Sequence, residues 1–583
     1  MVSVCNNHVI MLTPGRAIMG ALFCPSTRYQ TRMRTTTTLA VTCTLATLLT
    51  AATAATKTPS APAAPAQPKL VVVMAVDGLP QEQLLRYRDQ FGDGGFRRLL
   101  SQGAMFSDAH QAHGTTVTAI GHSAILTGAY PYQHGIVGNN WIDRATGESV
   151  YCTEDRRHKY LGEETKPDDG TSPARLRVDT LGDQLRYATG NRAKVLAVSG
   201  KDRGAILLAG KTGTAYMYME GSGNFASSSY YMAQHPAWVQ RYQAARPQDR
   251  YYGKTWRPML ADSDYAMDAG EKAFAVSYYS ESGQPDAAYY QRLKGGPFVD
   301  ELTLEFARAA IEGESLGANP AGVPDLLGVS LSAHDYVNHA NGPESRQSHD
   351  HLQRLDRMLA GFFTYLDKRV GADNYLVVLT ADHGFANSAE FSQQQRMDAG
   401  RVDGRKLMDG LRAHLDGAFG AGKVTFKASL PNVYLDQAAL DKAGIKRFDV
   451  EQAASRWLLA QTGIAEVYTR TRYEEAGATG TRLDLLMRRA WHRAESGDLV
   501  VVPRPYWAFG SGSSGATHGS PYAYDTNVPL LMMGKRWIVP GRYTRNAEVV
   551  DIAPTLATVL QLRPPAASEG RVLTEALVGG AAR

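Results

Sequence analysis

The chain has 583 residues, 44% of them apolar and 20% charged, a globular composition that excludes wholesale disorder and collagen-like repeats. Its formal net charge is +5, but Arg16, Arg28, Arg32 and Arg34 all precede residue 55 in a stretch without Asp or Glu, and beyond it basic and acidic residues nearly balance. The body of the chain therefore carries no electrostatic footprint of a nucleic-acid partner or an anionic membrane, and past the N-terminus no apolar run reaches the roughly 18 to 20 residues that span a bilayer.

Residues 1–55 read as a leader with a signal peptide. From Met33, Arg34 supplies a positive start and an apolar run follows through Leu39, Val41, Leu45, Leu48 and Leu49. Small residues at Ala52-Thr53-Ala54 suit cleavage. Met33 is itself a candidate start, with 1–32 an upstream extension. Residues 56–68 carry Pro59, Pro62, Pro65 and Pro68, a three-residue period that suits an extended linker. Cys5, Cys24 and Cys43 belong to the leader, so only Cys152 remains and no internal disulfide is expected. The expected compartment is the periplasm or the exterior, with no stable membrane partner and a monomer favoured.

Lys69–Val76 (KLVVVMAV) is apolar throughout and ends at Asp77-Gly78. Such a run predicts a strand buried on both faces, as in a parallel sheet covered by helices. Next, 112–128 (AHGTTVTAIGHSAILTG) predicts a Thr-rich turn entering a helix, whose N–H groups and dipole would favour an anion at its start. Thr115, Thr116 and Thr118 equally suit caps and turns. Residues of about 205–300 are aromatic-rich and are expected to form a cap insertion, with cap packing preferred over a base-stacking platform. Asp325–Leu331 predicts a second buried strand leading to Asp335. A helix over roughly 344–370 follows, with Leu352, Leu355, Met358, Leu359 and Phe362 at helical spacing. Tyr375–Thr380 predicts a third strand, ending at Asp382-His383. A second insertion is expected over about 388–497, before the apolar run Leu499–Val502. The fold class is α/β, a mostly parallel central sheet with helices on both faces plus cap insertions, in one domain over 69–583. Ligands of such sheets gather at the carboxyl ends of the strands.

Asp77, Asp335, His339, Asp382, His383 and His518 are six candidates with the side chains that a two-metal site requires. Carboxylate and imidazole suit zinc, and two ions about 4 Å apart can clamp the attacking and leaving oxygens at phosphorus. Taken singly each residue is weak evidence, since an Asp after a strand often caps a helix. The threonine turn adds a nucleophile that direct metal coordination would activate.

These residues resemble the alkaline phosphatase superfamily, and within it the phosphate-irrepressible, single-chain monoesterase (PafA-like) type. The likeness runs through Asp77-Gly78, Thr118 in TAIGHSAILTG, Tyr130-Pro131, His134 to Asn139, and Ser199 to Arg203. It continues through Asp335 to His339, Thr380 to Gly384 and Thr517-His518-Gly519, in the family order over about 70–533. The resemblance implies two Zn2+ per chain, one at Asp77, Thr118, Asp382 and His383, the other at Asp335, His339 and His518. It also implies Thr118 as nucleophile, a phosphothreonine intermediate, and phosphate monoesters as small-molecule substrates of broad range. Asn139, Lys201 and Arg203 would hold the phosphoryl oxygens. Phosphodiesterase and nucleotide pyrophosphatase relatives lack the Lys-x-Arg pair and tend to carry Asn-His where this chain has Gly121-His122. A phosphodiesterase on the same scaffold is the first alternative, a non-catalytic phosphate-binding protein a remote one.

Overall fold

The computed structural model describes residues 66–265, 268, 273–475, 477–510, 512 and 514–580. The leader expected over 1–55, and nearly all of the linker over 56–68, lie outside these residues.

The first apolar run forms β1 (Leu70–Val76), with all seven side chains buried. After it come β2 (Ala104–Phe106), α1 (Thr118–Thr127), and the hairpin of β3 (Asn140–Ile142) with β4 (Ser149–Tyr151). Then follow β5 (Val195–Ser199), α2 (Asp202–Ala209), β6 (Thr214–Tyr218) and β7 (Phe225–Ala226). The second and third apolar runs form β8 (Asp325–Leu331) and β9 (Tyr375–Thr380), and α3 (Ala333–Asn341) and α4 (Arg346–Leu366) lie between them. Four strands come next: β10 (Phe426–Ser429), β11 (Asn432–Leu435), β12 (Ile464–Thr469) and β13 (Leu499–Pro503). Late in the chain are β14 (Leu530–Met533) and β15 (Gly541–Tyr543).

A nine-stranded sheet has the order β15-β2-β14-β9-β1-β8-β5-β6-β7. Its middle five strands, β9 to β6, are parallel, while β14 and β7 run antiparallel to their inner neighbours. Every residue of β1, β8 and β9 is buried, as expected of strands covered on both faces. Helix α4 turns Leu352, Leu355, Leu359 and Phe362 fully inward, the stripe its 3.6-residue period predicts. Ser345 caps it by accepting from the Ser348 N–H.

Register aligns the strand ends. Val76 sits opposite Leu331, Ala75 opposite Thr380, and Ser330 opposite Ser199. The segments leaving β9, β1, β8 and β5 therefore emerge side by side, and they carry Asp382, Asp77, Asp335 and Lys201.

Two insertion boundaries differ from expectation. The aromatic stretch expected as an insertion over about 205–300 begins inside the main sheet, because β6 and β7 form its edge. Tyr216, Tyr218, Phe225, Trp238, Tyr251 and Trp256 are buried, and Tyr216 packs on Trp238 and Phe306. Aromatic strands read as an insertion because they lack the aliphatic run of β1. Leu499–Val502, expected to follow the second insertion, instead belongs to it. As β13 it pairs antiparallel with β11 and β12 in a separate four-stranded sheet, over its own core of Leu411, Leu415, Val450 and Leu458. An apolar run reports burial, not which sheet supplies the partner.

Candidate active site

At the aligned strand ends the structure brings together two groups of side chains able to hold a metal ion. Asp77, Asp382 and His383 form one, and Asp335, His339 and His518 the other; within each group, ligand atoms lie within 4.8 Å of one another. Asp77 follows β1 and Asp382-His383 follow β9. Asp335 and His339, four apart on α3, share a face, with His339 Nε2 3.3 Å from Asp335 Oδ1. His518 arrives on a loop that Asp525 ties down, its Oδ2 accepting from the Gly519 N–H (3.1 Å), the Ser520 N–H (2.8 Å) and the Ser520 hydroxyl (2.6 Å). The two groups adjoin, since the His383 and His518 rings stack 3.5 Å apart.

The histidine tautomers are set by the backbone. Nδ1 of His339, His383 and His518 faces the carbonyl of Ala516 (3.0 Å), Gly384 (2.9 Å) and Thr116 (2.7 Å) respectively. A carbonyl only accepts, so each Nδ1 carries the proton and each Nε2 lone pair turns to the carboxylates. Burial holds His383 and His518 below the usual imidazole range, in the neutral form that a ligand requires.

Asp77 Oδ1, Asp335 Oδ1 and His383 Nε2 are buried and make no hydrogen bond, which for polar atoms inside a core is costly. Burial, then the nearby Asp382 carboxylate, push Asp77 well above the usual carboxylate range. Burial works the same way on Asp335 and Asp382, but Lys201 and the histidines outweigh it at Asp335, and His383 and His122 at Asp382, so both are lowered. Three carboxylates and three imidazoles, with buried ligand atoms that lack partners among them, fit divalent metal ions.

Thr118 is the first residue of α1 and is almost wholly buried. Val117, the N-cap, has no capping atom. Asn139 serves instead, its Oδ1 accepting from the Ala119 N–H at 2.9 Å. With the carbonyl so engaged, the Asn139 amide keeps its N–H donors for another acceptor. Helix α1 abuts the Asp382 loop closely: a Cβ added at Gly121 would lie 2.0 Å from the Asp382 carbonyl oxygen. One residue on, His122 Nδ1 faces two acceptors, the Thr118 carbonyl (2.9 Å) and Asp382 Oδ2 (3.1 Å). That nitrogen therefore donates; the Thr118 carbonyl takes its hydrogen bond, and the Asp382 carboxylate lies against the same nitrogen.

Lys201 Nζ bridges the two groups, 2.7 Å from Asp77 Oδ2 and 2.6 Å from Asp335 Oδ2. Burial disfavours its charge, but Asp335 and Asp77 outweigh burial and keep it an ammonium. Lys201 and Arg203 line one cavity of about 350 Å3, together with Tyr151, Asp202 and Tyr336.

All the residues singled out in the sequence thus meet at one end of the sheet. The reading missed His122, Tyr151, Asp202 and Asp525. His122 sits four residues after Thr118, a spacing that shares a helix face and was legible. Tyr151 left no such signal, because it reaches the site through a hairpin.

The sequence profile of the type I phosphodiesterase / nucleotide pyrophosphatase family matches residues 71–523. A Myroides odoratus protein named a calcium-transporting ATPase is 33% identical over 522 residues, covering 87% of this chain and 94% of its own. The alkaline phosphatase PafA of Elizabethkingia meningoseptica is 34% identical over 524 residues, covering 87% and 94%. The crystal structure of wild-type alkaline phosphatase PafA superposes with a TM-score of 0.81 at 32% identity, over 88% of this chain and 99% of that one. With the family profile spanning most of its length and PafA alike in both sequence and fold, the chain belongs to the type I phosphodiesterase / nucleotide pyrophosphatase family, among its PafA-like alkaline phosphatases.

Proposed function

We propose that this protein hydrolyses phosphate monoesters, releasing inorganic phosphate, with Thr118 as nucleophile and two zinc ions per chain. Asp77, Asp382 and His383, with Thr118, would hold one ion, and Asp335, His339 and His518 the other. Bound zinc would supply Lewis acidity, lowering the pKa of the nucleophile and stabilising the leaving oxygen. The chain's own groups do the rest. Thr118 Oγ1 forms the bond to phosphorus as the ester oxygen departs, and water then cleaves the phosphothreonine. Thr118 opens α1, so the positive end of that helix dipole would favour the developing negative charge. Metal ions would compete with Lys201 for the Asp77 and Asp335 oxygens, freeing its ammonium for a phosphoryl oxygen.

The observation that carries the monoester reading is the pairing on one cavity of Arg203 with Lys201, whose ammonium reaches a carboxylate of each metal group. A monoester presents three non-bridging oxygens with nearly two negative charges, whereas a diester carries only one. Two cations and the Asn139 amide match the former. The test compares kcat/KM for p-nitrophenyl phosphate and bis-p-nitrophenyl phosphate. A monoester preference of several orders of magnitude is expected, and a diester preference would move the protein to the phosphodiesterase alternative. In Arg203→Ala the monoester rate is expected to fall about 100-fold more than the diester rate, the scale of one to two charge-assisted hydrogen bonds. Equal losses would remove Arg203 from phosphoryl recognition.

Export is the compartment reading that the Arg34 to Ala54 pattern supports. Sequencing the N-terminus of protein recovered from the producing cells is expected to start near Ala55; an intact Met1 would overturn it.

A further inference from the structure

Arg203 is more exposed than Lys201, and its orientation depends on two residues with no assigned role. Tyr151 Oη lies 2.6 Å from Asp202 Oδ1 and 3.2 Å from Arg203 Nη1. A phenol has one proton. The carboxylate can only accept it, so the phenol's lone pair faces the guanidinium. The result is a directed chain in which Arg203 donates to Tyr151 and Tyr151 donates to Asp202. Burial, then the Asp202 carboxylate, hold the Tyr151 phenol well above its usual range, which keeps that proton in place in alkaline solution.

The geometry also shows what the phenol prevents. Asp202 Oδ1 is 4.0 Å from Arg203 Nη1, too far for a hydrogen bond, and Asp202 Oδ2 is engaged by the Gly170 N–H at 3.0 Å. A direct bidentate Asp–Arg pair would occupy and neutralise the guanidinium fork. With tyrosine interposed, one Nη nitrogen is held by a neutral phenol and no carboxylate occupies the fork, while the buried Nε makes no hydrogen bond within the protein.

Tyr151 reaches this position from the hairpin that also presents Asn139. Tyr151 pairs with Asn140 across β3 and β4, and the Cys152 N–H donates to the Asn139 carbonyl at 2.9 Å. One rigid hairpin therefore holds both the group that caps the Thr118 helix and the group that aims Arg203.

We propose that Tyr151, itself oriented by Asp202, is a positioning residue for phosphate-monoester recognition that aligns Arg203 and couples it to the Asn139 anchor. The proposal rests on the phosphoryl-binding reading of Arg203. Its test is a cycle of wild type, Tyr151→Phe, Arg203→Ala and the double variant, each loaded with zinc. For each one, kcat/KM on p-nitrophenyl phosphate and on bis-p-nitrophenyl phosphate and the inhibition constant of inorganic phosphate are measured. Tyr151→Phe keeps the ring and its packing, and unchanged melting temperature checks the fold. The expected result is a loss of about 10-fold on the monoester and less than about 2-fold on the diester, the scale of one hydrogen bond to a charged group. Phosphate inhibition should weaken in parallel. In the Arg203→Ala background, Tyr151→Phe should add nothing, because the group it aims is gone. Equal losses on both substrates, or full additivity in the double variant, would overturn the proposal while leaving Arg203's role standing. If Arg203→Ala itself failed to alter the monoester-to-diester ratio, the underlying reading of Arg203 would fall, and the proposal with it.

Discussion

Replacing Thr118 with alanine is expected to lower kcat/KM for monoesters by at least about three orders of magnitude, the scale of removing a nucleophile, with metal content unchanged. The six carboxylate and imidazole ligand candidates remain in the variant, so six of the seven proposed ligands are kept, and Asn139 still accepts from the Ala119 N–H, so the helix start does not depend on the hydroxyl. Thr118→Ser should keep the reaction, since it retains an oxygen at the same helix position. Acid quenching of wild type during turnover should trap phosphate on Thr118, and mass spectrometry would locate it. A fully active Thr118→Ala variant would reassign the nucleophile. Thr116 is a poor substitute, because its hydroxyl donates to the Ser520 carbonyl at 2.8 Å.

Metal removal should have the second large effect, on activity and stability together. Asp77, Asp335 and Asp382 are all buried and face one another across the two groups. A bound ion neutralises them, and a ligand held at about 1,000 times its Kd stabilises a fold by roughly 4 kcal/mol. Chelation is therefore expected to abolish turnover and to lower the melting temperature by several degrees. Zinc should restore both at two ions per chain. The pH dependence has a definite sign. In the metal-free protein Asp77 is raised above its ordinary 3.8, so its contribution to stability is present in acid and lost as pH rises through the shifted value. Asp335 and Asp382 are lowered and act oppositely, at more acid pH. Metal binds only the ionised carboxylates, so the melting-temperature gap between loaded and chelated protein should widen from acid to neutral pH. A gap that stays constant would mean that Asp77 does not serve as a ligand; elemental analysis giving one ion or none would remove the two-metal mechanism.

Much of the site was legible because its parts sit at punctuation marks. Asp77, Asp335, Asp382 and His383 each follow a run apolar enough to be a buried strand, and parallel sheets place such residues at one end. Asp335 and His339 differ by one helical turn, which α3 realises. The insertion limits were less legible. Tyr216 and Phe225 belong to the central sheet although their neighbours are aromatic and polar, and Leu499–Val502 leaves it although it looks like β1. Burial period alone does not name a strand's partner.

By itself the sequence determined the α/β class, the three central strands and the carboxylate and imidazole ligand types, which follow from hydrophobic runs, side-chain donor types and spacing within one element. Thr118 over its neighbours, Asn139, Lys201 and Arg203 entered only through the resemblance to the PafA-like phosphatases. Only the tertiary structure decided how distant groups complete one another. Three backbone carbonyls, from Ala516, Gly384 and Thr116, set the histidine tautomers. Asn139 caps a helix whose own N-cap is valine, Gly121 admits the Asp382 backbone, and Tyr151 stands between Asp202 and Arg203. Each of these is a contact across many residues of chain, set by which strands are neighbours and in what register, and no local pattern encodes it.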